Sequence, residues 1–129
     1  MVQDRLRDGK RIAQLLASEV EGDRGVLGSL SVVDADPDVE PTTDGAFAFA
    51  LSRRDETDAE PERVAEVYVQ PDRARVEFLV QPDVAAAAAT DADLRVRPKA
   101  VRPPRTLVFL EDGADAKRVL PVFEAVVEG

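Results

Sequence analysis

The sequence predicts an α+β fold, with a mostly antiparallel sheet of about four to five strands and with N- and C-terminal helices packed on one face of that sheet. Apolar residues recur at helical spacing near both ends of the chain. Between them lie short segments in which apolar and polar residues alternate, a pattern typical of half-buried strands. Several of these segments follow one another without an intervening helix, which argues against a doubly wound parallel sheet. The length of 129 residues fits a single domain spanning 1–129.

The first element is a helix predicted from about Arg5 to Glu21. Its apolar residues form one stripe, which consists of Ile12, Leu15, Leu16 and Val20. Gly9 is expected to weaken the first turn. A short strand with one polar face is then predicted at Leu30–Val33.

A second strand is predicted at Ala46–Leu51, where large and small residues alternate strictly. Because successive side chains of a strand point to opposite faces, we expect Phe47, Phe49 and Leu51 on one face and only alanines on the other. The alanine face would let a helix or a second protomer approach closely. All the phenylalanines are expected on core faces: Phe47, Phe49, Phe78, Phe109 and Phe123.

A hairpin is predicted in residues 64–80, with Pro71–Asp72 as the turn between two alternating runs. One register aligns the hydrophobic partners of the two strands. It pairs Val69 with Ala74, Val67 with Val76, and Ala65 with Phe78. On the outward face the same register pairs Tyr68 with Arg75, and Glu66 with Glu77.

The last third of the chain predicts four further elements. Pro82 suits the first turn of a short helix through the alanines that follow, although a flexible alanine-rich connection is the alternative. Leu94–Arg97 alternates briefly and indicates a short strand. Thr106–Leu110 is a continuous apolar run, which predicts a central strand covered on both faces. Helical spacing then resumes, and Pro121 predicts a kink or break inside it.

The charge balance is strongly acidic, since 26 acids face 17 bases and the net charge is −9. Lysine is rare, because fourteen of the bases are arginines. Such a charge destabilises a compact chain in dilute buffer through self-repulsion. Multimolar salt removes that penalty, because it shortens the Debye length to roughly 3 Å or less. The composition therefore predicts a halophilic protein, and an acidic protein with a partner-binding face is the alternative.

The opening segment Asp4–Ala13 and the residues after it, Gln14–Glu19, resemble small uncharacterised proteins of haloarchaea. This resemblance supports the halophilic interpretation and implies no catalytic or binding residues. Residues 1–10 are charged and carry no apolar run, so we expect no signal peptide. No stretch approaches the ~18 consecutive apolar residues of a membrane span. We therefore expect a cytoplasmic protein with no membrane partner.

The residues that carry most enzyme chemistry are missing from the sequence, which contains no histidine and no cysteine. The usual general base near neutral pH is therefore absent, and no serine lies in a nucleophile elbow. We predict no catalytic residues, no cofactor and no enzyme activity. An enzyme that uses only carboxylates, with arginine, is the alternative.

A candidate metal site lies in the loop after the first strand, where acids alternate as they do at the start of a calcium loop. These acids are Asp34, Asp36, Asp38 and Glu40. Val39 then stands where such a loop needs glycine, and Gly45 where it needs glutamate. A solvated acidic loop is the alternative.

A candidate phosphate-binding run contains five bases and no acid: Arg95, Arg97, Lys99, Arg102 and Arg105. Such a run is typical of nucleic-acid or nucleotide binding, although no aromatic residue is interleaved with it. The alternatives are an edge strand guarded by charge, neutralisation of the protein's own acids, and docking of an acidic partner. Whether the five side chains converge on one surface decides between them.

A candidate interaction face combines the outward residues of the hairpin with the alanine face: Tyr68, Leu79, Ala46, Ala48 and Ala50. Together with the missing catalytic residues, it favours a small protein-interaction or dimerisation module. The partner would be another protein or a second copy of the chain. A nucleic-acid or nucleotide-phosphate binding protein is the alternative.

Overall fold

The computed structural model describes residues 8–22, 25–53 and 61–128. It shows the predicted α+β class, with one antiparallel sheet and helices. The strands are β1 (Leu30–Val33), β2 (Ala46–Arg53), β3 (Glu62–Gln70), β4 (Arg73–Phe78), β5 (Arg95–Lys99) and β6 (Arg105–Leu110). The helices are α1 (Gly9–Gly22), α2 (Pro82–Asp91), α3 (Asp115–Arg118) and α4 (Leu120–Glu128), and a 3₁₀ turn covers Val26–Ser29.

The six strands lie in the order β1-β2-β3-β4-β6-β5, and every neighbouring pair is antiparallel. The hairpin of β3 and β4 has the predicted turn and register, since Val67 lies opposite Val76 and Glu66 lies opposite Glu77. The chain then leaves the sheet through α2 and returns as β5. It therefore forms one more strand than the upper end of the prediction, and β5 and β1 are the two edges.

One face of the sheet packs against the helices and forms the hydrophobic core. Ile12, Leu16 and Val20 of α1 are buried as the stripe predicted. Phe78 of β4 and Phe123 of α4 pack with their ring centroids 4.9 Å apart and their planes tilted by 50°, and both are fully buried. These residues belong to a single apolar cluster, so the helices and the strands share one core.

Gly9 starts α1 where the helix meets the β3–β4 turn. Its amide donates a hydrogen bond to the carbonyl of Pro71 at 3.2 Å. A Cβ atom at this position would lie only 1.8 Å from the carbonyl oxygen of Gln70. Glycine is therefore required by this close approach, and it does not merely weaken the helix. The predicted helical residues before Asp8 lie outside the described part of the chain.

The opposite side of the sheet, which no described helix covers, is called the open face here. It contains from β2 to β6 the residues Phe47, Ala50, Ser52, Arg63, Glu66, Tyr68, Gln70, Arg73, Arg75, Glu77, Arg95, Arg97, Lys99, Arg105, Leu107 and Phe109. Two predictions were wrong because of this face. The strand β6 is covered by helices on one side only, and Phe47 and Phe109 lie on the open face instead of in the core.

An irregularity in β2 explains the position of Phe47. The register shifts between Phe47 and Phe49, so Phe47 lies opposite Tyr68 while Phe49 lies opposite Val67 in the core. Such a bulge inserts one residue and moves the following side chains to the other face. The expected division into a large-residue face and an alanine face is therefore wrong.

The remaining local predictions are confirmed. The alanine-rich segment is the helix α2, and Pro82 lies in its first turn. The last helical segment breaks at Val119, between α3 and α4, just before Pro121. None of the described helices combines the length and the apolar character that crossing a membrane requires.

Candidate functional site

The open face concentrates basic side chains in a protein whose net charge is −9. Its bases are Arg63, Arg73, Arg75, Arg95, Arg97, Lys99 and Arg105. Glu66, Glu77 and Glu111 reach the same face and pair with these bases. Asp34 and Asp72 also pair with Arg63 and Arg73 from the neighbouring loops. The bases therefore outnumber the acids here, although acids outnumber bases in the chain as a whole.

Strand pairing brings most of the predicted basic run together. Arg95, Arg97 and Lys99 alternate along β5 and share one face. The register places Lys99 opposite Arg105 of β6, so Arg105 joins them. Arg102 is exposed in the connection between the two strands. Four of the five predicted residues thus share the open face, and the fifth lies at its end.

Glu77 lies at the centre of the basic cluster and is only 1% exposed. Its carboxylate accepts hydrogen bonds from Nε of Arg75 at 2.9 Å, Nη1 of Arg105 at 2.9 Å and Nζ of Lys99 at 3.2 Å. A buried carboxylate is stable only when it is paired and hydrogen-bonded. Glu77 therefore fixes three cations in place, but as one charge it cannot neutralise all of them.

Glu66 is a second anchor beside Glu77. It accepts hydrogen bonds from Nη1 of Arg105 at 2.9 Å, from Nη1 of Arg63 at 3.0 Å and from the hydroxyl of Tyr68 at 2.8 Å. Burial alone would raise the pKa of Glu66, but these hydrogen bonds hold that pKa below its ordinary value. Burial and the bond to Glu66 raise the pKa of Tyr68.

Aromatic rings lie among these cations. The guanidinium of Arg75 lies 4.8 Å from the ring centroid of Tyr68. The ring of Phe47 meets that of Tyr68 edge-on, with the two ring centroids 5.7 Å apart. Phe109 of β6 is half-buried between its strand partners Arg75 and Arg95. The sequence placed Tyr68 on the outward face opposite Arg75, but it did not connect Tyr68 with the basic run. Phe47 and Phe109 were missed, because neither lies inside the basic run and strand pairing alone brings them to it.

The cations of this face differ in how they are paired. Arg73 and Arg95 share the carboxylate of Glu111, at 3.4 and 3.3 Å. Arg97 and Arg102 are exposed and make no ion pair with any residue that the structure describes. The face therefore contains a fixed centre around Glu77, which is buried, and Glu66, which is partly buried. Arg97 adds a cation without an ion pair among the described residues, and Arg102 lies beyond the end of the face in the connection from β5 to β6.

The acidic loop, for which the sequence predicts a metal site, makes other contacts in the structure. Among the described residues no three histidine, cysteine, aspartate or glutamate side chains are placed to hold a metal ion. Asp34 instead pairs with Arg63, and Asp36 accepts a hydrogen bond from the amide of Asp38 at 3.0 Å. Glu40 is exposed. These contacts suit a solvated loop that closes on itself.

The residues of the predicted interaction face do not form one surface. Ala48 and Ala50 are buried, and β2 lies inside the sheet between β1 and β3. Ala46 lies opposite Val69, on the core side. Tyr68 is half-buried on the open face, and Leu79 is half-buried at its end. Only these last two lie near a surface that a partner could reach.

The whole chain, residues 1–129, matches the model of a family of unknown function (DUF7993), and the chain belongs to that family. No curated protein and no solved structure matches it.

Proposed function

We propose that this member of DUF7993 is a non-catalytic module that binds single-stranded nucleic acid on its open face. The observation that carries the proposal is the gathering of seven bases and three aromatic rings on one uncovered sheet face of an acidic protein. Proteins that bind single strands combine a positively charged track for the backbone with rings on which bases stack. Sheets with aromatic side chains on an open face are an established form of this arrangement.

The fixed centre gives the face the rigidity that binding requires. Arg75, Lys99 and Arg105 are already ordered by Glu77, so a strand would not have to order them. Ordering a long side chain at an interface costs about 0.5–1.5 kcal/mol each. Glu77 therefore favours binding indirectly, although its negative charge also repels a phosphate.

The same contacts argue against catalysis at this face. A general base works best when its pKa lies near the operating pH. The hydrogen bonds to Glu66 move its pKa in the opposite direction, away from neutrality. Glu77 is fully engaged by three cations. With no histidine or cysteine in the chain, binding accounts for the face better than a reaction does.

We further propose that the protein works in the cytoplasm of a salt-loaded cell, which the acidic composition supports. At about 1 M salt the Debye length is only about 3 Å, so long-range attraction contributes little. Binding would then depend on direct hydrogen bonds to phosphates and on base stacking. The rings of Tyr68 and Phe109 supply the stacking surfaces, and the guanidinium groups supply the hydrogen bonds.

The second candidate is a protein-interaction module, which dimerises or binds a protein partner. Val101 supports it, because it is the one large apolar side chain among the described residues that is clearly exposed, at 39%. It lies beside Leu79, at the end of the open face. A partner that covers this apolar edge would also cover part of the basic face, so the two candidates require a direct test.

The proposal is tested by fluorescence anisotropy with a labelled single-stranded oligonucleotide, measured from about 0.3 to 3 M KCl. Arg97→Glu reverses a charge on the open face and should weaken binding by about tenfold or more, equivalent to ~1.4 kcal/mol. Arg11→Glu is the matched control, because Arg11 is equally exposed but lies on α1. It should change the affinity by less than about twofold.

Light scattering on the same samples separates the two candidates. Equal weakening by both substitutions would mean that only overall charge matters, and the open face would lose its role. A dimer that ignores nucleic acid at every salt concentration would favour the interaction module. The proposal is supported if the labelled strand binds the wild type at high salt and binds the Arg97→Glu variant with much lower affinity.

A further inference from the structure

A pocket of about 290 Å³ lies at one end of the open face, where β4 ends and where the connection between β5 and β6 begins. We call it the end pocket. Its lining consists of Leu79, Lys99, Val101, Arg102, Pro103 and Arg105. Three of these six residues are cations and the other three are apolar. This composition differs from that of the acidic surface elsewhere and indicates an anionic organic ligand.

Two of the three cations are fixed from beneath. Lys99 and Arg105 both contact the buried carboxylate of Glu77, at 3.2 and 2.9 Å. Arg105 uses Nη1 for both of its glutamate partners, whereas a guanidinium has five N–H donors and an ammonium has three. The glutamates thus hold the two side chains in position and occupy only part of their donor capacity.

The charge of the end pocket is not balanced by the protein. Glu77 is shared between Lys99, Arg105 and Arg75, and Glu66 is shared between Arg105 and Arg63. Arg102 has no carboxylate partner in the described residues, so the two carboxylates do not offset all the positive charge around the end pocket. A phosphate monoester carries a charge of about −1.5 to −2 near neutral pH and offers three acceptor oxygens. It could therefore accept hydrogen bonds from all three cations at once.

The apolar half of the end pocket favours an organic phosphate over an inorganic one. Val101 is 39% exposed, and Leu79 and Pro103 lie beside it. An inorganic phosphate would leave these side chains in contact with water. A nucleotide would instead bury part of them under its sugar or base, which removes apolar area from water.

We propose that the end pocket binds a phosphate monoester on a nucleoside, which is either the phosphorylated end of a nucleic-acid strand or a free mononucleotide. The first source rests on the proposed function, because a strand along the open face would place its end beside β5. The second source does not require a polymer to bind. The pocket would thus add recognition of a strand end to binding along the face.

Three probes test the inference: a short oligothymidylate of about 12 nucleotides with a 5′-phosphate, the same strand with a 5′-hydroxyl, and thymidine 5′-monophosphate. The wild type should bind the phosphorylated strand about tenfold more tightly than the hydroxyl strand. Arg102→Ala should abolish this preference and leave binding of the hydroxyl strand within about twofold. The fold should survive, because Arg102 is exposed in a connection.

Arg97→Ala is the matched control, since Arg97 lies on the open face but outside the lining of the end pocket. It should weaken both strands equally and keep the preference. Equal affinity of the wild type for both strands would overturn the inference and leave the proposed function intact. A preference that survives Arg102→Ala would also overturn it.

The mononucleotide separates failure of the pocket from failure of the polymer proposal. One outcome is that neither strand binds, while thymidine 5′-monophosphate binds the wild type and does not bind the Arg102→Ala variant. That outcome would support the end pocket and would show that the proposed function is wrong. If inorganic phosphate competes as well as the mononucleotide does, the apolar half has no role and the inference fails. Absence of binding for every probe would contradict both proposals.

Discussion

The two faces of one sheet are buried by different chemistry. On β4 the neighbouring residues Val76 and Glu77 are 0% and 1% exposed, yet one points into the helix-covered core and the other into the open face. Val76 is surrounded by apolar side chains of the single core cluster. Glu77 is surrounded by three cations. Equal burial therefore has two causes, hydrophobic packing on one side and ion pairing on the other.

This difference separates what folds the chain from what the chain presents. Burial of apolar side chains stabilises a fold in every ionic condition and changes little with pH. A cluster of charges depends on salt, on pH and on which ions are bound. The helix face thus supplies stability, whereas the open face presents more basic than acidic side chains.

The largest effect on stability is expected for Phe78→Ala, which removes a ring from the helix-covered core. Phe78 is fully buried against Phe123, and loss of such a ring leaves a cavity that costs about 3–5 kcal/mol. Phe109→Ala is the control on the open face, where the ring is only half-buried, and it should cost less than half as much. Urea denaturation measures both, and equal losses would contradict a core confined to one face.

Glu77→Gln neutralises the buried carboxylate of the open face and should lower the free energy of unfolding by about 3 kcal/mol in dilute buffer. The substitution removes the buried charge that holds three cations, so their mutual repulsion is no longer offset. Glu111→Gln is the control, because Glu111 is 44% exposed and should cost less than about 1 kcal/mol. The loss in Glu77→Gln should shrink as KCl increases, because salt screens the repulsion between the three cations. A loss as small as that of Glu111→Gln would contradict a role for the buried charge, since glutamine preserves the size and shape of the side chain.

The stability of the fold should depend on pH at both ends of the range, because the pKa of Glu66 is lowered and the pKa of Tyr68 is raised. The folded pKa of Glu66 is lowered, so its contacts stabilise the fold fully above the ordinary value of 4.5 and are lost as pH falls through the folded pKa. The pKa of Tyr68 is raised, so its contribution is complete below 10 and is lost as the pH rises above that value. Thermal melts should show the stability difference between wild type and Glu66→Gln shrinking between pH 5 and pH 3, and a difference that stays constant would refute this assignment.

The smallest effect on stability is expected for Arg97→Ala, which should change the free energy of unfolding by less than about 0.5 kcal/mol. Arg97 is exposed and has no ion-pair partner among the described residues. The same substitution should nevertheless weaken binding of a single-stranded oligonucleotide several-fold, because a free cation of the binding face is lost. A stability loss comparable to that of Glu77→Gln would mean that Arg97 belongs to the fixed centre after all.

The hairpin shows how much of the fold the sequence could predict. Its register was correct because alternating residues and a proline-containing turn give the same alignment. The position of Phe47 was wrong because a bulge leaves no sign in an alternating sequence. The uniform apolar run of β6 hid the outward position of Phe109, since its sequence shows no alternation at all.

The candidate site could be predicted only in part, for a different reason. The basic run was visible because Arg95, Arg97 and Lys99 alternate within one strand. The anchors Glu66 and Glu77 lie on two other strands and were visible only as an outward pair of the hairpin. These acids meet Arg105 because β4 pairs with β6. The strand β6 follows α2 and β5 in the chain, and no local pattern in the sequence specifies its pairing with β4.

Side-chain NMR can show whether a nucleic-acid strand lies on the open face, as we propose. Arginine Nε–H resonances can be followed during titration with a single-stranded oligonucleotide in about 2 M KCl, where nonspecific charge attraction is screened. We expect shifts at Arg95, Arg97 and Arg105, with no change at Arg11 of α1 or Arg118 of α3. Shifts at the helix arginines with the open-face arginines unchanged would contradict it.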